Sequence, residues 1–166
     1  MASDALLKIK KPKAPEKRLR IPRTYTSKQF GDAAEMLVAA ELILAGVPAL
    51  KVPDLWPGYD VIAQPIGLQP QRISVKARAL RTGNFVSYFA HDEFDWLAVV
   101  IIADDTLERS IYVIPRDVAD EKVSRDRPGS KMEHQRYVEP AHMERRFAEY
   151  RNNFRLERQR STAIGC

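Results

Sequence analysis

The 166-residue chain has one cysteine, Cys166, at its last position. An internal disulfide and a cysteine-based zinc site are therefore excluded, and stability has to come from packing. The three histidines, His91, His134 and His142, are scattered without metal-ligand spacing, which argues against a zinc centre. Seven glycines build neither a phosphate-cradling loop nor a Gly-x-Ser-x-Gly elbow, so nucleotide hydrolysis and serine hydrolase chemistry find no support. No apolar run approaches the roughly 18–20 residues needed to cross a bilayer. Leu97 to Ala103 is much shorter and reads as a buried strand. The N-terminus lacks the apolar segment and cleavage site of a secretory signal, so a cytoplasmic location is expected.

What is present suits one folded body over residues 25–160, with an N-terminal arm over 1–24 and a short tail over 161–166. The formal charge of +5 favours polyanionic partners only weakly. Its distribution is more informative. Lys8, Lys10, Lys11, Lys13, Lys17, Arg18, Arg20 and Arg23 crowd the arm, interrupted by Glu16 and by Pro12, Pro15 and Pro22. Such a segment is expected to be extended, either solubilising the protein or touching phosphates.

Thr26-Ser27-Lys28-Gln29 matches a capping box, and helical residues run on to Ala45, with Gly46 as the stop. Between Ala33 and Ala45 only Glu35 and Glu41 are charged, so this helix is expected to be largely buried. A first strand is expected over 47–52. A hairpin follows, from the run Asp60 to Ala63 through Gly67 to Arg72–Arg78. Residues 79–93 carry no clear pattern. Two further strands are expected over 95–103 and 110–115, and a surface loop over 124–135. An amphipathic helix from Pro140 to about Arg160 closes the chain, with Met143, Phe147, Tyr150 and Phe154 as its apolar stripe. The order implies an α/β (α+β) fold.

Three residues stand out chemically. Asp60 and Lys76 are expected to face each other across the hairpin strands, and Glu35 lies on the helix side shared by Lys28 and Asp32. Each has an ordinary explanation. Glu35 could pair with Lys28 or Lys51, Asp60 could cap the hairpin, and Lys76 could extend to solvent.

Taken together, Phe30-Gly31-Asp32-Ala33-Ala34-Glu35, Leu44-Ala45-Gly46-Val47, Gly58-Tyr59-Asp60-Val61-Ile62 and Ile73-Ser74-Val75-Lys76 resemble the PD-(D/E)XK nuclease superfamily. The likeness is to its small members related to Holliday-junction resolvases. The resemblance covers roughly Phe30 to Arg78, and the closing Tyr150-Arg151-Asn152-Asn153-Phe154 is similar to the last helix of some members. It implies a restriction-endonuclease-like mixed central sheet flanked by helices. That is an αβββ core followed by two more strands and a C-terminal helix. It also implies Mg²⁺- or Mn²⁺-dependent hydrolysis of DNA phosphodiesters. By the same resemblance Asp60, Glu35 and the Val75 carbonyl would hold the metal, and Lys76 would activate water and stabilise phosphate charge.

Ser74 departs from the motif, which usually has an acidic residue there. A charge pair about 4 Å apart at an effective dielectric near 20 is worth roughly 4 kcal/mol, against roughly 1 for a neutral hydrogen bond. Serine therefore cannot replace the carboxylate in kind. Mg²⁺ nevertheless needs only one or two protein carboxylates, which leaves Asp60 and Glu35 sufficient. Asp54, in the preceding loop, is the weaker ligand. Lys51, Arg72, Arg78 and Arg81 are the expected phosphate contacts. The resolvase likeness suggests a homodimer. The rival reading is a catalytically weakened or inactive nucleic-acid-binding module.

Overall fold

The computed structural model describes residues 24–80, 83–103 and 106–158. The arm up to Arg23, the tail and Arg81 lie outside them. Helix α1 (Ser27–Leu44) opens at Thr26, whose hydroxyl accepts the Gln29 backbone N–H while the Gln29 side chain accepts the Thr26 N–H, which completes the expected capping box. Beyond the C-cap, Gly46 takes φ +89°, the left-handed conformation that ends a helix cheaply only with glycine.

The main sheet holds β1 (Ala49–Lys51), β2 (Val61–Ala63), β3 (Gln71–Ala79), β5 (Trp96–Ile102) and β6 (Arg109–Pro115), in the order β1-β2-β3-β5-β6. All neighbours are antiparallel except β3 and β5, which run parallel from Ile73↔Trp96 to Ala79↔Ile102. A parallel pair needs a crossover. Here the crossover carries β4 (Val86–Phe89), which leaves the main sheet and joins β8 (Gln135–Val138) and β7 (Ser124–Arg125) in a second, three-stranded sheet.

Two apolar clusters sandwich the main sheet. Ala34, Val38 and Leu42, at helical spacing on α1, pack on Val61, Ile73, Val75, Ala77, Ala98 and Val100. On the opposite face Leu97, Val99, Ile101, Tyr112 and Ile114 meet Val86, Tyr88, Phe94, Met143 and Phe147. Strand β5 serves both clusters, which is why Trp96 through Ile101 is continuously buried.

Several sequence expectations change. The first strand shortens from 47–52 to Ala49–Lys51. The patternless 79–93 contains β4, and the expected loop 124–135 begins as β7. A short helix, α2 (Arg116–Lys122), follows β6 directly. The long closing helix is broken. A 3-10 turn over Pro140–His142 leads into α3 (Met143–Phe147), and another over Ala148–Tyr150 ends the helical region. Arg151 then bridges to Tyr112 of β6, and Asn152 adopts φ +54° and donates its N–H to the Ile111 carbonyl. The Asn153 amide donates to the Val113 and Glu157 carbonyls, which gives the backbone an alternative to further helix. Met143, Phe147 and Tyr150 of the expected stripe are buried, whereas Phe154 packs against the cluster on the α1 side.

Candidate active site

Strand β2 is three residues long and β3 is nine, so β3 runs on past its partner. The pairing Val61↔Ile73 places Asp60, just before β2, opposite Ser74 instead of Lys76. At that position the Asp60 N–H donates to the Ile73 carbonyl at 2.9 Å. The Asp60 carboxylate fills the gap left by β2. Its Oδ2 accepts the Val75 backbone N–H at 2.6 Å and lies 3.4 Å from the Ser74 hydroxyl, a long contact beside a short one. In a strand the N–H and C=O of one residue point to the same side, so the Val75 carbonyl also faces this gap.

Ser74 and Lys76 share the sheet face of the second cluster, as their neighbours Leu97 and Val99 show. Ser74 is 2% exposed. Lys76 is half-buried, and no hydrogen bond or ion pair joins its side chain to another described residue. Glu35 comes from the other face, on α1. Glu35 and Asp60 come together just before β2 begins, where both line one cavity.

A cavity of about 490 Å³ opens there, lined by Glu35, Asp60, Lys51, Asp54, Trp56 and Tyr59 among others. Lys51 stands among its carboxylates: Nζ is 2.9 Å from Glu35, 2.9 Å from Asp54 and 3.7 Å from Asp32. Lys28 reaches Asp32 at 2.9 Å and Asp54 at 2.7 Å. Hydrogen bonds to Lys28 and Lys51 hold the Asp54 carboxyl down at about 2. The same cluster raises Lys51, chiefly through Asp54 and then Glu35. Glu35 moves opposite to Asp54. Burial pushes its carboxyl up, the bond from Lys51 opposes this, and the nearby Asp60 charge adds to the rise. The pairing of Glu35 with Lys51 is one of the two ordinary pairings its sequence position allows.

The three described basic residues expected at phosphates, Lys51, Arg72 and Arg78, are engaged inside the chain. Arg72 donates Nε and Nη2 to Asp95 at 3.1 Å each and faces Glu93 at 3.4 Å. Arg78 donates to the Phe85 and Ala77 carbonyls. Lys51 occupies the carboxylate cluster described above. Nothing in the sequence marked Asp95 as the partner of Arg72, because the two are brought together only by the parallel β3–β5 pairing. Trp56 and Tyr59, which line the cavity, also escaped the sequence reading; their place beside Asp60 was the available signal.

Among the described residues no group of three or more His, Cys, Asp or Glu side chains is arranged to hold a metal ion. The donors at the gap are the hard oxygens of Asp60 and Glu35, with the Val75 carbonyl turned the same way. They fit Mg²⁺ or Mn²⁺ shared with water and a phosphate, and do not fit a cation enclosed by protein.

No family model matches the sequence, and no curated protein matches it. A solved bacterial homing endonuclease is similar in structure, with a TM-score of 0.51 and 19% identity over 80% of this chain and 93% of that one. A Holliday junction resolvase from Archaeoglobus fulgidus aligns with a TM-score of 0.41 and 16% identity over 64% of this chain and 88% of that one. The mixed α+β fold expected from the sequence, with helix and strands in nuclease-like order, is the fold this chain has.

Proposed function

We propose that this protein is a cytoplasmic endonuclease that hydrolyses DNA phosphodiester bonds with Mg²⁺ or Mn²⁺. One observation carries the reading: the Asp60 carboxylate is fixed on the Val75 N–H where β2 leaves β3, with Glu35 on the same cavity and Lys76, whose side chain has no partner among the described residues, one alternation beyond Ser74. Asp60 and Glu35 would hold the cation, which when bound supplies a more acidic water and neutralises phosphate charge. Asp60 is positioned in advance, because its backbone and carboxylate are both tied to β3. Lys76 supplies an ammonium with no counter-ion among the described residues, suited to a phosphate oxygen as negative charge builds up during attack. Ser74 leaves this ammonium without the neighbouring carboxylate that the motif usually provides. A homodimer, which would pair two such sites on two strands, belongs to the same reading.

The second reading, a nucleic-acid-binding module without turnover, is favoured by Ser74 and by the lack, among the described residues, of three acidic side chains arranged to hold a metal. Purified protein incubated with plasmid, linear and branched DNA in Mg²⁺ and in Mn²⁺ separates the two. Metal-dependent cleavage that disappears in Asp60→Asn supports the enzyme. Salt-sensitive binding without cleavage supports the module. Cleavage retained by Asp60→Asn overturns the role given to that residue.

A further inference from the structure

The loop between β1 and β2 holds apolar side chains out over the mouth of the Asp60 cavity. Leu55 is fully exposed, at 101%, and sits at φ +65°, a conformation that leucine rarely adopts. Trp56 is 50% exposed and lines the cavity together with Leu55, Tyr59, Glu35 and Asp60.

The loop is built to stay in place. Asp54 is held by Lys28 at 2.7 Å and Lys51 at 2.9 Å, and the Trp56 N–H donates to the Pro53 carbonyl at 3.2 Å. Trp56 meets Tyr59 edge to face, with centroids 6.3 Å apart. At the far end Gly58 has φ +88°, and a Cβ there would come within 3.1 Å of the Glu93 carbonyl oxygen. Its close approach to that backbone fixes the exit of the loop. A fixed loop with a strained, wholly exposed leucine beside a half-exposed indole gains nothing from the protein's own core. An observed backbone outlier next to a candidate site is a pointer to function.

Resting on the nuclease reading above, we propose that Leu55 and Trp56 form a wedge that engages unstacked bases. On this basis the preferred substrate is DNA carrying unpaired bases, as in a bulge or a mismatch, in preference to a fully paired duplex. Apolar side chains inserted at a base step and aromatic rings stacked on a free base are general ways to hold distorted DNA, and both are easiest where pairing is already lost. The local charge agrees with base contact in preference to phosphate contact. Asp32, Glu35 and Asp54 offset Lys28 and Lys51 around the loop, so its tip presents apolar surface and little net positive charge.

The test measures binding in EDTA to a duplex with a short bulge and to the fully paired duplex of equal length, for wild type, Leu55→Gly and Trp56→Ala. Glycine suits the positive φ at position 55, so that variant is expected to fold; circular dichroism checks both. Wild type is expected to bind the bulged DNA about tenfold tighter, and each variant to bring the two affinities within about threefold. Trp56 emission should be quenched by the bulged DNA alone; the other tryptophan, Trp96, is 2% exposed and so shielded from the bases. Equal affinities in wild type, a preference that survives in both variants, or no DNA binding overturns the wedge. Cleavage in Mg²⁺ is scored in parallel. Preference without cleavage removes the nuclease reading and leaves the wedge, whereas cleavage without preference does the reverse.

Discussion

The carboxylate of Asp60 accepts the backbone N–H of Val75 at 2.6 Å, at the point where one strand of the sheet stops and its neighbour continues. A carboxylate here satisfies a strand N–H that β2 no longer reaches, and it holds one oxygen of Asp60 in a fixed place. Structure and proposed chemistry therefore share a residue and can be separated by substitution. Asp60→Asn keeps an acceptor for the Val75 N–H and is expected to melt close to wild type while losing cleavage by about 100-fold or more. Asp60→Ala orphans that N–H and should cost a further ~1–3 kcal/mol of stability in urea denaturation. Equal stability of the two variants would show that the Val75 bond does not contribute.

Ser74 separates metal affinity from folding. The side chain is almost wholly buried, and its contact to Asp60 is long, so Ser74→Ala should cost under about 1 kcal/mol. Ser74→Glu places a carboxylate in the same buried position. Without metal its melting temperature should fall, and with Mg²⁺ or Mn²⁺ it should recover more than wild type does, because a cation relieves the buried charge. Differential scanning fluorimetry against metal concentration reads both effects. No metal-dependent recovery in Ser74→Glu would mean that position 74 does not face the cation.

The raised carboxyl of Glu35 sets a pH dependence. A glutamate whose folded pKa lies above its unfolded value stabilises the fold fully below the unfolded value and loses that contribution as pH rises through the folded one. Burial is the main cause, with Asp60 adding to it against the pull of Lys51. The stability of wild type relative to Glu35→Gln should therefore decline as pH rises from below the ordinary glutamate value through the raised folded one. Urea denaturation of both proteins across that range checks the sign. A relative stability that rises with pH would mean that the Lys51 pair outweighs burial.

The sequence carried the local parts of this architecture well. The Thr26–Gln29 capping box, the Gly46 stop and the apolar run of β5 are written in neighbouring residues, and the β2–β3 hairpin follows from two short strand patterns. What failed to show depends on distant partners. Strands β4, β7 and β8 are short and have little pattern apart from one another, since β8 joins β4 across a long stretch of chain and β7 exists only by pairing with β8. The Met143–Phe147–Tyr150 spacing is helical, yet Asn152 and Asn153 bond to β6 and end the helix early. At the site, Glu35, Asp60 and Lys76 could be picked out by type and order. The register that sets Asp60 against Ser74, and the Asp95 carboxylate that takes up Arg72, required the assembled sheet.

Arg116 links the two sheets and gives a test of the fold apart from the site. Its guanidinium lies 4.2 Å from the Phe94 ring centroid and 5.1 Å from that of Tyr88, bonds Asp120 at 2.8 Å, and donates to the Asp92 and Ala90 carbonyls at 2.6 and 2.9 Å. Arg116→Ala should lower stability by about 2–4 kcal/mol, and Arg116→Lys should recover only part of it, because a single ammonium cannot reproduce the planar fork. Full recovery by lysine would mean that charge alone matters there.

The central claim is that Lys76, two residues beyond the Ser74 that Asp60 faces and without a side-chain partner among the described residues, acts on a phosphate during DNA hydrolysis. Its most direct test is nicking of supercoiled plasmid in Mg²⁺ by wild type and Lys76→Ala, with both shown to be folded. The account predicts cleavage by wild type and a rate at least ~100-fold lower in the variant. Cleavage by Lys76→Ala at the wild-type rate, or no cleavage by wild type in either Mg²⁺ or Mn²⁺, would contradict it.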